Sequence, residues 1–336
     1  QGRANKMGSF FTLVSIENTK LWKRVSAKVM FLIMIILILA AAGIYKYYTV
    51  SQKVPNDVKV SQNWKQELQA NVALQKNQLK QTEDGKNNAA KAFTGSLKKG
   101  IAESEYRISN NIKPESQKSV WSRSTEFSAN AGYSGLIALF VIIACSALVA
   151  GEFSEGTMKM MISRPYKRYE ILSAKLVATI IYGLELLVAT FLLNFIMMGV
   201  LFGFNGIGAK EMLWTSSSIM YIPAVLKTII VFLLDYLQVL VYVIIAFAIS
   251  AISRSRSMAT GFSLFLLFVG STIINMVAMY FSWGKYLPLG MSNFSRYVTL
   301  GAPIGGTTLA FALGLSTIYS IIFAFVGYYV FEKRDI

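Results

Sequence analysis

Two acids lie inside long apolar runs of this 336-residue chain, Glu185 and Asp235. An ionised carboxylate in hydrocarbon costs roughly 2.5–3.5 kcal/mol on insertion scales, so such groups face protein or a wet cavity. Each acid has polar company on its own helical face. Tyr182 stands three residues before Glu185, and Gln238 and Tyr242 stand three and seven residues after Asp235. Lining a substrate path, these five residues could read positive charge on a cargo. As scaffolding, the acids would pair with tyrosine, with Lys227 or with backbone to hold helices together. Asn194, on the face opposite Glu185, reads as such glue.

A second group fills the connector "GEFSEGTMKMMISRPYKRYE", Gly151 to Glu170. Gly156 permits a tight turn and Thr157 can cap a helix. Met158 to Ile162, Met161 among them, make about one turn of flexible apolar side chains, and Pro165 stops it. Glu152 and Glu155 stand at one end, Lys167 and Arg168 at the other. The product is a short helix lying across a membrane surface, where a soluble partner can grip it.

Other chemistry finds no residues. The chain has no histidine and a single cysteine, Cys145, which excludes a zinc site and a disulfide framework and leaves Cys145 as a packing residue. "GFNGIGAK" has glycines and a lysine at the wrong spacing for a phosphate loop. No activated nucleophile is legible, so the chain is expected to be no enzyme and to hold no cofactor or metal.

The elements that position these groups are membrane helices. The chain is 54% hydrophobic and only 15% charged, and six segments supply the roughly 20 apolar residues that a bilayer core requires. They run over 29–48, 132–151, 171–204, 224–252, 258–281 and 304–331. The net charge of +16 is assigned to topology rather than to nucleic acid. Lys20, Lys23, Arg24 and Lys28 precede the first span, the connector's bases follow the second, and Arg254, Arg256, Lys333 and Arg334 fall on the same side. The positive-inside bias makes that side the cytoplasm and places both termini there, in a multi-pass plasma-membrane protein of bacterial type.

Outside the spans, Gln1 to Lys6 reads as a processing remnant ahead of Met7 and is set aside. Residues 7–28 form an interfacial helix with Phe11, Val14 and Leu21 toward lipid or protein. The polar stretch 49–131 is read as an extracellular domain holding two antiparallel amphipathic helices. One carries Val60, Trp64, Leu68, Val72 and Leu79, the other Ala90, Phe93, Leu97, Ile101 and Ile108, with "EDGKNN" as the turn. Residues 152–170 are the coupling connector, 205–223 an outer loop, 253–257 a cytoplasmic loop and 332–336 the cytoplasmic end. In 282–303, Trp283, Tyr286, Phe294 and Tyr297 among Gly, Pro and Ser suit a re-entrant or interfacial segment. The expected fold is thus all-α with six transmembrane helices.

The connector resembles that of the type 2 ATP-binding cassette permeases: Glu155, Gly156, Thr157, Pro165 and Arg168 match its Glu, Gly-Thr, Pro and Arg in order, and Lys175 matches a basic residue at the start of span three. "YLPLGMSNFSRYVTLGAP" and the ending "FEKRDI" are similar as well. The resemblance covers the six spans and leaves the outer domain unexplained. It implies that Glu152, Glu155, Gly156, Thr157, Met158, Met161, Pro165 and Arg168 form a coupling helix seated on a cytoplasmic ABC ATPase. Two copies of that ATPase would bind ATP and Mg, and a second permease subunit, identical to the first, would complete the path through the lipid bilayer. The expected cargo is an amphipathic, cationic peptide, with lipid or drug second. An ion-coupled secondary transporter with Glu185 and Asp235 as carriers, or a membrane sensor displaying the outer domain, are the rival readings.

Overall fold

Apolar runs of this length fold as helices because every peptide group must find its partner within the segment. In the computed structural model, which describes residues 2–51, 61–84, 93–115, 117–156, 166–253 and 255–333, the chain is mostly helical with little sheet. α1 (Gly2–Lys23) breaks at Arg24 into α2 (Val25–Ser51). α3 (Trp64–Asp84) and α4 (Thr94–Ser109) precede α5 (Val120–Ala131), α6 (Tyr133–Ser154) and the long α7 (Arg168–Phe202). After β1 (Lys210–Trp214) and β2 (Ile219–Pro223) come α8 (Ala224–Ile252), α9 (Arg256–Phe265), α10 (Ser271–Tyr280), the short α11 (Phe294–Thr299) and α12 (Leu309–Lys333).

Among the described residues six helices, counting α9 with α10 as one, are long and apolar enough to cross a membrane. α6 is the most buried of them and forms the centre, flanked by α7 and α8, while α12 and the α9–α10 helix keep most of their surface outward. α1 and α2 lie along α7, and α12 lies along α8. The fifth span is not the uninterrupted helix expected over 258–281. A π-helical turn at Leu266–Gly270 divides it.

At one end of the bundle, α3 and α4 form an antiparallel pair. Lys76 pairs with Glu105 at 2.6 Å and Glu83 with Lys98 at 2.9 Å, so positions further along one helix meet positions further back on the other. Val72 and Ile101 are buried between them, as the apolar stripes require, but Phe93 is 65% exposed. It sits at the N-cap of α4, off the packed face. Glu83 and Asp84 of the expected turn still belong to α3, and the rest of the turn, Val60 and Ala90 lie outside the described residues.

The expected extracellular domain also contains α5. Ser119 accepts the Ser122 N–H as its N-cap, and Gly132 ends it in a left-handed conformation (φ 67°), from which α6 starts at once. The loop expected over 205–223 contains the antiparallel β1–β2 hairpin, turned at Thr215–Ser218. Of the four aromatics in 282–303, Phe294 and Tyr297 are buried, whereas Trp283 and Tyr286 are more than half exposed.

The hairpin pair is seated on the loop before α12. Gly95 and Gly301 meet backbone to backbone, so a Cβ on either would overlap the other chain segment, and Lys99 Nζ donates to the Thr299 carbonyl at 2.6 Å. Gly95→Val should therefore unseat α4. Overpacking of about 1–3 kcal/mol predicts amide exchange in Thr94–Ser109 roughly tenfold faster or more, with α5 unchanged, by hydrogen-exchange mass spectrometry. Wild-type protection in α4 would show that this contact does not seat it.

Candidate functional site: a buried ion cluster beside the connector

Lys175, in the third turn of α7, is fully buried, and a buried ammonium must be paired. It lies 2.8 Å from Glu17 Oε2 on α1 and 2.7 Å from Glu152 Oε2 near the end of α6. Lys20, one turn after Glu17, binds its second oxygen at 2.6 Å and lies 3.8 Å from Glu152 Oε1. Two acids and two bases thus balance, with Lys20 reaching solvent at 40% side-chain exposure and the other three enclosed. Burial pushes the Glu17 carboxyl up, but Lys175 and then Lys20 outweigh it and hold it below the ordinary 4.5.

The cluster joins three elements at the point where the connector leaves the bundle. Around it, Arg24 Nη1 donates to the Ala147 carbonyl at 3.1 Å, Ser173 shares a 2.8 Å hydrogen bond with Tyr328, and Phe153 meets Phe331 edge to face. Glu155 caps the end of α6, and Gly156 follows it with φ 69°, where a left-handed residue is needed. Both are exposed. At the far end, Glu170 accepts the Lys167 N–H at 2.9 Å and starts α7, whose first residue is Arg168. Thr157, Met158, Met161 and Pro165 lie outside the described residues.

Glu152 therefore departs from expectation. It is not an exposed docking acid but the α6 member of a buried ion cluster, 5% exposed. Glu17 and Lys20 were missed because charges on an amphipathic helix at a membrane surface read as solvated. The available signal was Lys175, a lysine in an apolar run that must find acids somewhere.

The five expected cavity residues separate. Glu185 accepts hydrogen bonds from Asn18 Nδ2 at 3.0 Å and Trp22 Nε1 at 2.5 Å, so it anchors α1, the scaffolding role that was the alternative for this acid. Tyr182 is buried with its ring edge to face against Trp22. Tyr242 hydrogen-bonds Ser292 at 3.2 Å, and Gln238 is buried on the same helix; neither lines the cavity at Asp235. Lys227 pairs with Glu211 at 3.0 Å instead of with either acid. Asp235 alone lines a cavity, of about 30 Å³, between α5, α6, α7 and α8. Asn194 donates to the carbonyl and hydroxyl of Ser124 at 2.9 and 3.0 Å, tying α5 to α7.

At the opposite end a larger chamber of about 450 Å³ opens between the α3–α4 pair, α5, β1 and α8. Its walls carry both signs of charge, including the Lys227–Glu211 pair and Lys99–Glu103 at 3.2 Å. There burial, and then the neighbouring Glu211, push the Glu115 carboxyl above the ordinary 4.5.

Comparison with known proteins places the chain in a family. Residues 92–336 match the family described as "Protein of unknown function (DUF2705)", and the chain belongs to it. It is 32% identical over 276 residues to the uncharacterized protein YhcI of Bacillus subtilis (strain 168), covering 82% of this chain and 85% of that one. It is 24% identical over 203 residues to the uncharacterized membrane protein YdbK of the same organism, covering 60% and 78%. With six helices of spanning length and composition, the chain is a membrane protein.

The cluster makes a stability prediction. Lys175→Met strands two buried carboxylates and should cost about 3–5 kcal/mol, read as a lowered Tm in detergent, while adding Glu17→Gln and Glu152→Gln should recover more than half of it. Because the Glu17 pKa is depressed, its contribution is fully present above 4.5 and is lost only as pH falls through the lower folded-state value. A Lys175→Met protein within about 1 kcal/mol of wild type would show that the cluster holds little together.

Proposed function

We propose that this chain is the permease subunit of an ATP-driven exporter of the type 2 cassette kind, working as a dimer with two copies of a separate cytoplasmic ATPase. The observation that carries this reading is the placement of the connector. It leaves α6 three residues after Glu152 and re-enters at Arg168, seven residues before Lys175, so both of its roots are tied to each other and to α1 through buried charge.

In this reading the ATPase holds ATP and Mg, and this chain performs no hydrolysis. When the ATPase dimer closes, it presses on the connector. Movement of the connector's roots cannot be taken up by bending at the cluster, because separating Lys175 from Glu17 or Glu152 would leave a buried charge unpaired. The load passes instead to α1, α6 and α7 as one body. α7 delivers it to the opposite end, where Asn194 holds α5 and the chamber lies.

The connector side is then the cytoplasm, with both termini on it, and the α3–α4 pair stands outside a bacterial plasma membrane. Residues 282–303 form the outer interfacial segment and α1 the inner one. The cargo is an amphipathic molecule, a cationic peptide first and a lipid or drug second. The mixed charge of the chamber suits an amphipathic solute, and Glu185, already engaged by α1, drops out of the acids that would read its charge.

The test is co-purification from native membranes together with ATPase activity. An affinity-tagged chain should bring down a cassette ATPase. Gly156→Val, which forces a β-branched residue to φ 69°, and Glu155→Arg should each reduce recovered ATPase and its activity about tenfold. Their Tm should stay that of wild type, because both residues are exposed and neither belongs to the cluster. Full recovery of an active ATPase with both variants would remove the connector from the coupling role.

A further inference from the structure

The cavity at Asp235 is lined by several oxygens, of which Asn194 Oδ1 and the Tyr133 hydroxyl have no partner in the protein. Thr228, Val231, Phe232 and Asp235 on α8 face Asn194 and its neighbours on α7, each set at helical spacing, and the α5–α6 junction closes the third side. Among the described residues no lysine or arginine forms an ion pair with Asp235, and the Ser295 hydroxyl of α11 hydrogen-bonds its carboxylate. Asn194 is 1% exposed and spends its amide donor on the Ser124 carbonyl, which can only accept; its Oδ1 is thereby fixed as an acceptor, and it is buried with no protein partner. Thr125 and Thr228 each have a helix carbonyl to donate to, Trp121 at 2.9 Å and Ala224 at 2.9 Å, yet their hydroxyl oxygens stand 3.2 Å apart across the same cavity. Tyr133 adds a buried hydroxyl with no partner.

One carboxylate, one orphaned amide oxygen and two threonine oxygens whose protons have helix carbonyls to go to turn negative ends on the cavity, beside a Tyr133 hydroxyl free to donate or accept. Such a lining asks for a cation. The volume of about 30 Å³ holds roughly two water-sized occupants at ~10–15 Å³ each, far too little for a peptide or lipid headgroup. Oxygen donors without nitrogen or sulfur favour a hard ion, and a single carboxylate neutralises a single charge where an excess would be costly.

We propose that Asp235, Asn194, Thr125 and Thr228 form a binding site for one compact monovalent cation, sodium, which ties α5, α7 and α8 together within the bundle. The site stands whether or not the chain is a permease, since it involves neither the connector nor an ATPase.

Binding of ²²Na⁺ to the purified full chain in detergent tests it directly. Wild type should bind about one ion per chain, displaced by unlabelled NaCl and not by choline chloride at the same ionic strength. In parallel, raising NaCl in place of choline chloride should raise Tm saturably, as any ligand specific to the folded state does. Asp235→Asn, nearly isosteric, should lower ²²Na⁺ binding at least tenfold and abolish the sodium-dependent part of Tm. Should that variant fail to fold, Thr228→Val, which removes one donor oxygen at constant shape, should weaken ²²Na⁺ binding severalfold. Equal Tm in sodium, potassium and choline with no bound ²²Na⁺ would overturn the site and leave the cavity to water. Undiminished ²²Na⁺ binding in Asp235→Asn or Thr228→Val would place the ion elsewhere.

Discussion

Everything at the connector end follows from one lysine that cannot reach water. Lys175 is enclosed by α1, α6 and α7, and the desolvation of its ammonium is several kcal/mol that only close carboxylates can offset. Glu17 and Glu152 do so from two different helices, and Lys20 balances the second acid while keeping its own head in solvent. An apolar trio of the same size would pack at least as well. What charge adds is discrimination: a slip of α1 by one residue moves Glu17 by about 100° around its helix and leaves Lys175 short of one partner. α1 is thereby held in register on α7, and the Asn18 and Trp22 bonds to Glu185, one and five residues beyond Glu17, fall into place with it.

From this point stiffness runs along α7. With 35 residues it measures about 52 Å, more than a bilayer core needs, and it touches the ion cluster near its start and Ser124 on α5 near its end. α5 is in turn pinned by Ser119 to Glu211 at 2.6 Å, by Val120 N–H to Asn205 and by Trp121 Nε1 to the Ile207 carbonyl. The two ends of the molecule are thus joined by one continuous helix with polar ties at both ends.

The same length explains what the sequence conceals. The six long apolar helices and the α3–α4 pair are legible because bilayer thickness and helical periodicity each impose a pattern that few other structures share. The partners of Glu185 are hidden because it lies at the midpoint of α7, and the midpoint of a 35-residue helix is no guide to its surroundings; these were decided by α1, 163 residues away in sequence from Trp22 to Glu185. β1 and β2 are five residues each, with a serine turn and no glycine, too short to show a period against their apolar surroundings. Phe93 fits the apolar stripe in spacing but falls outside the helix that the stripe belongs to. For Glu152, the residues revealed the charge and the helix end, while its burial required knowing where α1 returns.

Three of the acids that sequence singled out near or inside spans therefore meet three solutions of one electrostatic problem. Glu152 is neutralised by a lysine, Glu185 is solvated by an indole and an amide, and Asp235 faces a cavity of acceptors without a protein cation among the described residues. The first two solutions are closed, in the sense that every contribution comes from the chain and moving the helices breaks it. The third is open, because no protein cation among the described residues faces Asp235 and the proposed ion would exchange with the solution. A bundle that is locked at its connector end by protein charge has its adjustable contact, in the proposed ion site, on α5, α7 and α8, the helices that also border the larger chamber or feed into it.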